Sequence, residues 1–262
     1  MELKNPNTTN LLAIGAHHDD IEVMAMDGIL KAYGSKKYSF YACVLSDGVN
    51  CVKSGKYAEL TDKEMIETRN QEQTRASQIG EYADLKMLKY SQEDIENDEK
   101  GKIVKEIRQM ILDIKPDIVY THNIFDKSPM HKMTCKRVIE AILGLEEEDR
   151  PRLVYGCEIF RSLDWLPDKY KVVFDLSENK ELQSRLIGVY DTRAEQARNY
   201  NKAIVGRKIA HAIFGTQNTD IEEEKLIWYG INLTPVIAKN IDLKDYCTRI
   251  LSDYNKEMLD FE

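Results

Sequence analysis

The sequence predicts an α/β fold, a Rossmann-like, mostly parallel sheet with helices on both faces, in a single domain. Short apolar runs alternate with longer amphipathic segments through the first two thirds of the chain, as in parallel strands joined by right-handed crossover helices. The 262 residues, of which 42% are hydrophobic and 31% charged, suit one large soluble core. Neither a repeat nor a linker-like stretch separates a second domain. We therefore expect one domain over residues 1–262, with a motif-bearing core over about 11–215 and a C-terminal extension over 216–262.

The strands are predicted from short runs rich in aliphatic and aromatic residues. They are Leu11–Gly15, Tyr38–Leu45, Leu85–Leu88, Asp117–Thr121, Leu153–Glu158, Lys171–Leu176 and Leu226–Ile231. If the first five are parallel, their carboxyl ends meet at one edge of the sheet. That edge is where such sheets bind ligands.

The helices are predicted from apolar residues at helical spacing, clearest where Ile103, Ile107, Met110, Ile111 and Ile114 share one face. Thr61 and Glu64 form a capping-box pattern at the start of one helix, and Pro116 separates another from the next strand. The predicted helices are Val23–Tyr33, Asp62–Ile79, Ile103–Ile114, Lys132–Leu143, Glu181–Val189 and Arg193–Phe214.

Composition excludes several classes of protein. A net charge of −8 argues against a nucleic-acid-binding protein, which needs clustered Lys and Arg. The five cysteines contain no CxxC pair, which favours reduced thiols and a cytoplasmic protein over a disulfide framework. No segment approaches the roughly 20 apolar residues of a membrane span, and the amino terminus lacks the apolar core of a signal peptide. We therefore expect a cytoplasmic protein without an integral membrane segment.

A cluster of imidazoles and carboxylates follows the first predicted strand, in the stretch Ala16-His17-His18-Asp19-Asp20-Ile21-Glu22. A nucleotide site at this turn would need the glycines of a GxGxxG motif. The turn offers Gly15 alone, and its carboxylates would repel a pyrophosphate and attract a cation. Imidazole and carboxylate are ligands that zinc accepts. The first hypothesis is therefore a metal site.

A catalytic zinc commonly has three protein ligands and a fourth position for water. His17 and Asp20, three residues apart at a strand-to-helix turn, can converge on one ion. His122, which directly follows the fourth predicted strand, and His131, at the start of the next helix, lie at the same predicted edge of the sheet. Either residue can complete the site. His211 lies in a helical pattern far downstream and is predicted to be structural.

Two motifs make a family resemblance specific. The Ala16–Glu22 stretch resembles the AHPDDxE signature of the PIG-L/LmbE family of zinc-dependent N-acetylglucosaminyl deacetylases, with His18 in place of proline. The segment Asp126–His131 is similar to the second family motif, D-x-H-P-D-H. Weaker similarities follow in the family's order, at Ser46-Asp47-Gly48, Arg69-x-x-Glu72, Tyr155-x-x-Glu158 and Val173–Leu176.

The resemblance implies zinc ligands at His17, Asp20 and His131, and a general base at Asp19. It implies hydrolysis of the N-acetyl group of a small N-acetylated amino sugar or sugar conjugate, with release of acetate. Zn²⁺ is the expected cofactor, and Fe²⁺ in the cell is the alternative. Arg69 resembles a residue that contacts hydroxyl or anionic groups of the substrate; the alternative is a surface ion pair with Glu72.

One departure bears on activity. Family members commonly carry a His–Asp pair that stabilises the oxyanion, and here Ser128 and Met130 occupy those positions. The Ser128 hydroxyl, His18 or a backbone N–H is a candidate substitute, and Ser128 is taken as substrate-binding. The alternative function is a catalytically silent relative that binds metal or sugar. The sugar, its aglycone and the oligomeric state, including a homo-oligomer, stay open.

Overall fold

The computed structural model describes residues 1, 7–49, 53–99, 101–194, 200–215 and 225–260. Within these residues the chain forms one seven-stranded sheet. Its strands are β1 (Thr9–Gly15), β2 (Tyr38–Ser46), β3 (Asp84–Tyr90), β4 (Ile118–His122), β5 (Leu153–Cys157), β6 (Lys171–Asp175) and β7 (Ile227–Asn232). Their order across the sheet is β3-β2-β1-β4-β5-β7-β6.

The sheet is mostly parallel, as predicted. β1 to β5 are parallel, whereas β7 runs antiparallel to both β5 and β6. β1 is central, with Leu12 paired to Tyr41 on one side and to Val119 on the other. Leu11 to Gly15 are all buried, as expected of a strand covered on both faces. β7, from the predicted C-terminal extension, lies inside this sheet between β5 and β6.

Eleven helices accompany the sheet in the described part of the chain. They are α1 (Asp20–Met24), α2 (Met26–Ala32), α3 (Asp62–Ile79), α4 (Gln92–Glu96), α5 (Lys102–Ile114), α6 (Pro129–Leu143), α7 (Lys180–Ile187), α8 (Asp191–Ala194), α9 (Tyr200–Phe214), α10 (Thr234–Ala238) and α11 (Leu243–Leu259).

The largest differences from the predicted helix boundaries are at α1, α2 and α6. The helix predicted over Val23–Tyr33 begins instead at Asp20 and breaks at Ala25, whose φ of −111° and ψ of 22° lie outside the helical region. α6 begins three residues earlier than predicted, because Ser128 caps it and Pro129 occupies its first turn. Of the helix predicted over Arg193–Phe214, positions 195–199 lie outside the described residues.

α3 has the predicted bounds. The Thr61 side chain accepts a hydrogen bond from the Glu64 N–H, and the Glu64 carboxylate accepts one from the Thr61 N–H. This capping box satisfies backbone donors that the first turn would otherwise leave unpaired. The sequence signal and the observed start of the helix therefore agree.

Two hydrophobic cores lie on opposite faces of the sheet, so the prediction of helices on both faces is confirmed. One core contains side chains of α5, α6 and α11, and the other contains side chains of α1, α2 and α7. Gly28 lets α2 lie directly on the sheet, since a Cβ at this position would meet the Phe40 and Tyr120 rings at 2.8 and 2.9 Å. Among the described residues, no helix is both long and apolar enough to cross a membrane.

Candidate active site

The turn between β1 and α1 places the clustered side chains at the carboxyl edge of the sheet. The Ala16 N–H donates to His122 Nε2 (2.8 Å), which joins the end of β1 to the end of β4. The His17 N–H donates to Asp20 Oδ2 (2.7 Å). Asp19 has a φ of +82°, and its side chain makes no capping hydrogen bond to α1. A left-handed backbone at a residue other than glycine is strained, and such strain is common at functional sites.

His17, Asp20 and His131 come together in space. One ligand atom from each lies within 4.8 Å of the other two. His17 Nδ1 is 3.1 Å from Asp20 Oδ2, and His131 Nε2 is 3.5 Å from Asp20 Oδ1. Asp20 and His131 are buried, whereas the His17 side chain is 27% exposed. The three residues that the resemblance named as metal ligands are thus neighbours in the structure.

The orientation of His131 follows from the start of α6. Ser128 and Pro129 begin the helix and place His131 in its first turn. His131 Nδ1 lies 3.2 Å from Asp126 Oδ1, and the second carboxylate oxygen of Asp126 accepts a hydrogen bond from the Phe160 N–H (3.0 Å). A carboxylate on one imidazole nitrogen fixes the ring so that the other nitrogen can bind a metal. Nε2 of His131 accordingly points toward Asp20.

The charges of the cluster are strongly coupled. Burial opposes ionisation of Asp20, but His131, His122 and His17 together hold the pKa of its carboxyl well below the usual range. Burial also opposes charge on His131, yet Asp20 and Asp126 raise the pKa of this imidazole. The Asp20 carboxylate is therefore ionised at neutral pH. It needs positive charge beside it, which either a protonated imidazole or a cation supplies.

His122 lies beside the cluster with a different role from that of His131. Its ring stacks on His131 at 3.9 Å between centroids, and its Nε2 is already engaged by the Ala16 N–H. Burial and the nearby His131 lower the pKa of His122 to about 4, so this ring is neutral at pH 7. His122 supports the turn. Of the two histidines that the sequence left as alternatives, only His131 belongs to the three-residue cluster.

Two arginines hold the carboxylate of Asp19, which is itself 3% exposed. Arg69 Nη2 donates to Asp19 Oδ1 (2.8 Å) and to the His18 carbonyl (2.7 Å). Arg193 Nε donates to Asp19 Oδ2 (3.0 Å). Arg69 is buried, with 1% of its surface exposed, so the alternative prediction of an ion pair with Glu72 at the protein surface is wrong. The Glu72 carboxylate accepts hydrogen bonds from the N–H and the hydroxyl of Thr192.

A buried hydrogen-bond network behind the turn extends to Glu22. The Asp19 N–H donates to Gln73 Oε1 (3.2 Å), and Gln73 Nε2 donates to Glu22 Oε1 (2.9 Å). The hydroxyls of Tyr82 and Tyr190 also donate to the Glu22 carboxylate, at 2.7 and 2.6 Å. The network ties the backbone of Asp19 to α3, to the turn between α3 and β3, and to the segment before α8.

Gln73 and Arg193 contact Asp19 but were not predicted from the sequence as site residues. Gln73 lies four residues after Arg69 and therefore on the same face of α3, and this spacing could have identified it. No local pattern marks Arg193, which meets Asp19 across 174 residues of chain.

Ser128 and His18, the two side chains named above as candidate substitutes for the His–Asp pair, both contact other residues near the site. The Ser128 Oγ accepts a hydrogen bond from the His131 N–H (3.4 Å) and caps α6. His18 Nε2 lies 3.0 Å from Asn70 Oδ1, and burial, followed by the charge of Arg69, lowers the pKa of His18 to about 3. Met130 is 5% exposed and offers no hydrogen-bond donor.

The cluster fits a divalent cation. Its donor set is two imidazoles and a carboxylate, which suits zinc or iron(II). His131 Nε2 is buried without a hydrogen-bond partner among the described residues. An unpaired buried polar atom is costly unless something binds it, and a metal ion would satisfy this one.

Comparisons with known proteins identify a family that matches this chain and solved structures with the same fold. A family described as PIG-L, GlcNAc-PI de-N-acetylase, matches residues 12–142. This range contains all three residues of the cluster and Asp19. No curated protein matches the chain.

Solved structures with the same fold differ widely in sequence from this chain. GalB, the 4-carboxy-2-hydroxymuconate hydratase of Pseudomonas putida, has a TM-score of 0.64 and 16% identity over 90% of this chain and 100% of its own. The N,N′-diacetylchitobiose deacetylase of Pyrococcus horikoshii has a TM-score of 0.61 and 17% identity over 87% of each chain. A zinc-inhibited form of teicoplanin deacetylase has a TM-score of 0.59 and 14% identity over 86% and 98%. At these identities the likeness establishes the fold.

Proposed function

This chain belongs to the PIG-L family, and from that premise we propose that it is a metal-dependent hydrolase. The proposed reaction removes the N-acetyl group from an N-acetylated amino sugar or sugar conjugate and releases acetate. The observation that carries the proposal is the cluster of His17, Asp20 and His131 directly beside Asp19. The chitobiose and teicoplanin deacetylases, which share the fold, support a sugar-related substrate.

In this proposal His17, Asp20 and His131 hold a zinc ion, or iron(II) in the cell. A bound divalent cation supplies Lewis-acid activation of water and of the amide carbonyl. Asp126 keeps Nε2 of His131 directed into the site through its 3.2 Å contact with Nδ1. The protein thus supplies a fixed set of metal-binding atoms, which would need little rearrangement when the ion binds.

Asp19 is the proposed general base. It accepts the proton of the attacking water and later delivers it to the leaving amine. Its backbone is fixed by Gln73 and its Oδ1 by Arg69, so the carboxylate is oriented before substrate binds. A base held in place in this way contributes by geometry as well as by basicity.

Ser128 and Arg69 are the proposed substrate contacts. The Ser128 oxygen accepts from the His131 N–H, which leaves its own proton to donate to the developing oxyanion. Met130, where the family pattern has a carboxylate, cannot orient that donor. We therefore expect a slower reaction than in a relative that has the pair. Arg69 lies against Asp19 and contacts a substrate group next to it.

Acetate release from a panel of N-acetylhexosamine conjugates tests the proposal. We expect zinc-loaded protein to release acetate, and Asp19→Asn to keep the metal but to lose about 10²- to 10⁴-fold in rate. His131→Ala should lose the metal as well as the rate. The exposed Asp113→Asn is the matched control and should change neither. Equal rates in Asp19→Asn and wild type would contradict the assignment of the base; metal binding without acetate release from any substrate would favour the silent relative.

A further inference from the structure

An exposed aromatic side chain lies beside the cluster of His17, Asp20 and His131. Among the described residues, three rings contact the His131 imidazole, those of His17, His122 and Phe160. His122 is buried, whereas the His17 side chain is 27% exposed and Phe160 is 37% exposed. A molecule from solvent can therefore reach the cluster along the side where His17 and Phe160 lie.

The Phe160 ring lies parallel to the His131 imidazole. The two ring planes differ by 6°, and the ring centroids are 5.0 Å apart. Because His131 belongs to the cluster, the phenyl ring lies one ring away from the place proposed for the metal ion. One face of the phenyl ring is directed to the imidazole, which leaves the rest of the ring for contact with a ligand.

Backbone hydrogen bonds to Asp126 fix Phe160 in this place. The Phe160 N–H donates to Asp126 Oδ2 (3.0 Å), and the Arg161 N–H donates to the same oxygen (3.4 Å). The other oxygen, Oδ1, lies 3.2 Å from Nδ1 of His131. One carboxylate thus positions both rings. A ring that is fixed in advance loses little conformational freedom when a ligand packs on it.

Single exposed apolar side chains are common on proteins and need no ligand to explain them. Phe160 differs from such a side chain because its ring lies on a proposed metal ligand and its backbone is held by the carboxylate that orients that ligand. A phenyl ring offers neither a proton nor a charge, so what it recognises is an apolar surface. Its negative face attracts C–H groups, and the ring C–H groups of a pyranose provide such a surface.

We propose that Phe160 is a specificity-determining residue, and that the pyranose bearing the acetamido group packs a C–H face on its ring. The inference rests on the proposed function, since it takes that amide to the cluster. In an N-acetylhexosamine the amide is attached directly to the ring, so an amide at the cluster keeps the ring in the neighbourhood of Phe160. This adds a requirement: the substrate presents its amide on a closed sugar ring and not on an open chain.

Equilibrium binding to the zinc-loaded protein tests this without depending on turnover. The probes are methyl glucosaminide and glucosaminitol, its open-chain counterpart, which carry the same amine and no N-acetyl group to hydrolyse. We expect wild type to bind the glycoside about tenfold more tightly than the open chain. Phe160→Leu, which stays apolar but loses the aromatic face, should reduce this ratio to less than about threefold, and Phe160→Trp should keep it.

Two controls separate contact with the sugar from other effects. Tyr38→Leu removes an aromatic ring at the start of β2, and therefore at the opposite edge of the sheet, and should keep the full ratio. The zinc affinity of Phe160→Leu should equal that of wild type, because a residue that contacts the sugar is not needed to hold the metal.

Four results would overturn the inference: equal affinities for the two probes in wild type, an undiminished ratio in Phe160→Leu, binding of neither probe, or a loss of zinc affinity in Phe160→Leu, which would mean that Phe160 acts through His131. Failure of the proposed function has a different signature. If the ratio depends on Phe160 but no N-acetylated sugar yields acetate, the recognition stands and the hydrolase proposal fails. If acetate is released with the same KM in Phe160→Leu and wild type, the hydrolase proposal stands and the role of Phe160 fails.

Discussion

Asp19 and Asp20 are adjacent in sequence, yet their environments separate their roles. Asp20 is surrounded by imidazoles, with His17 and His122 nitrogens at 3.1 and 3.2 Å from Oδ2. Asp19 is held by guanidinium groups and has a left-handed backbone. This backbone turns consecutive side chains in different directions, so that the Asp20 carboxylate joins the imidazoles of His17 and His131 and the Asp19 carboxylate stays beside them. Two identical side chains can serve as ligand and as base because their neighbours differ.

A second prediction at the residue scale concerns Glu22 and the pH dependence of the free energy of unfolding. Burial raises the pKa of the Glu22 carboxyl from 4.5 to about 7, although hydrogen bonds from the Tyr190, Tyr82 and Gln73 side chains favour the charged form. A raised pKa means that the folded protein holds this proton more tightly than the unfolded chain does. The stabilisation is therefore full below pH 4.5, and it is lost as the pH rises through about 7.

We expect wild type to lose roughly 3 kcal/mol of unfolding free energy from this group between pH 4.5 and pH 8. Glu22→Gln, which keeps the shape and cannot ionise, should lose none of it. Urea unfolding of both proteins across this range measures the difference, and the exposed Glu81→Gln is the control. A difference between wild type and Glu22→Gln that does not vary with pH would contradict the buried, protonated carboxyl.

Among the helices, α3 organises the site. Its buried polar face presents Arg69 to Asp19, Asn70 to His18, Glu72 to Thr192 and Gln73 to both Asp19 and Glu22. Eighteen residues and a capping box make it a long, well-defined helix. A rigid helix positions side chains more accurately than a loop can. α3 therefore acts as a template for the turn after β1.

Gln73→Leu tests the role of α3. Leucine fills the space but leaves the Asp19 N–H and one side of Glu22 without partners, which should cost about 1–3 kcal/mol of stability. Because Gln73 orients Asp19 without facing the substrate, we expect kcat to fall roughly 10- to 100-fold while KM changes less than about twofold. Steady-state acetate release measures both constants. Gln71→Leu, at an exposed position of the same helix, is the control. A change confined to KM would contradict a positioning role.

At the scale of the whole molecule, the sheet brings distant parts of the chain to one edge. The cluster combines the end of β1 with the start of α6, and β5 leads into the loop where Phe160 holds Asp126. The net charge of −8 is that of the whole chain and does not give the local charge at this edge of the sheet. Here carboxylates are matched by imidazoles and by Arg69 and Arg193, and the charge of a site is set by its neighbours.

The elements of this fold that could be predicted from the sequence are those with strong local patterns. All seven strands and the capped start of α3 follow from apolar runs and from Thr61 and Glu64. The short helices α4 and α10 were missed because five residues are too few to show a helical period. The 17-residue helix α11 was also missed, because only Tyr246 and Ile250 are buried on it and its apolar pattern is weak. The break at Ala25 was missed because alanine itself favours helix. The contact between Arg193 and Asp19 depends on tertiary packing, which no local pattern encodes.

The proposed chemistry requires one metal ion bound among the side chains of His17, Asp20 and His131. The direct measurement is a crystal structure of zinc-loaded protein, with the ion located by its anomalous scattering. We predict one zinc peak per chain, bonded to His17, Asp20 and His131 at about 2.0–2.2 Å. A zinc bound elsewhere, or a His131 ring turned away from the ion, would contradict the account.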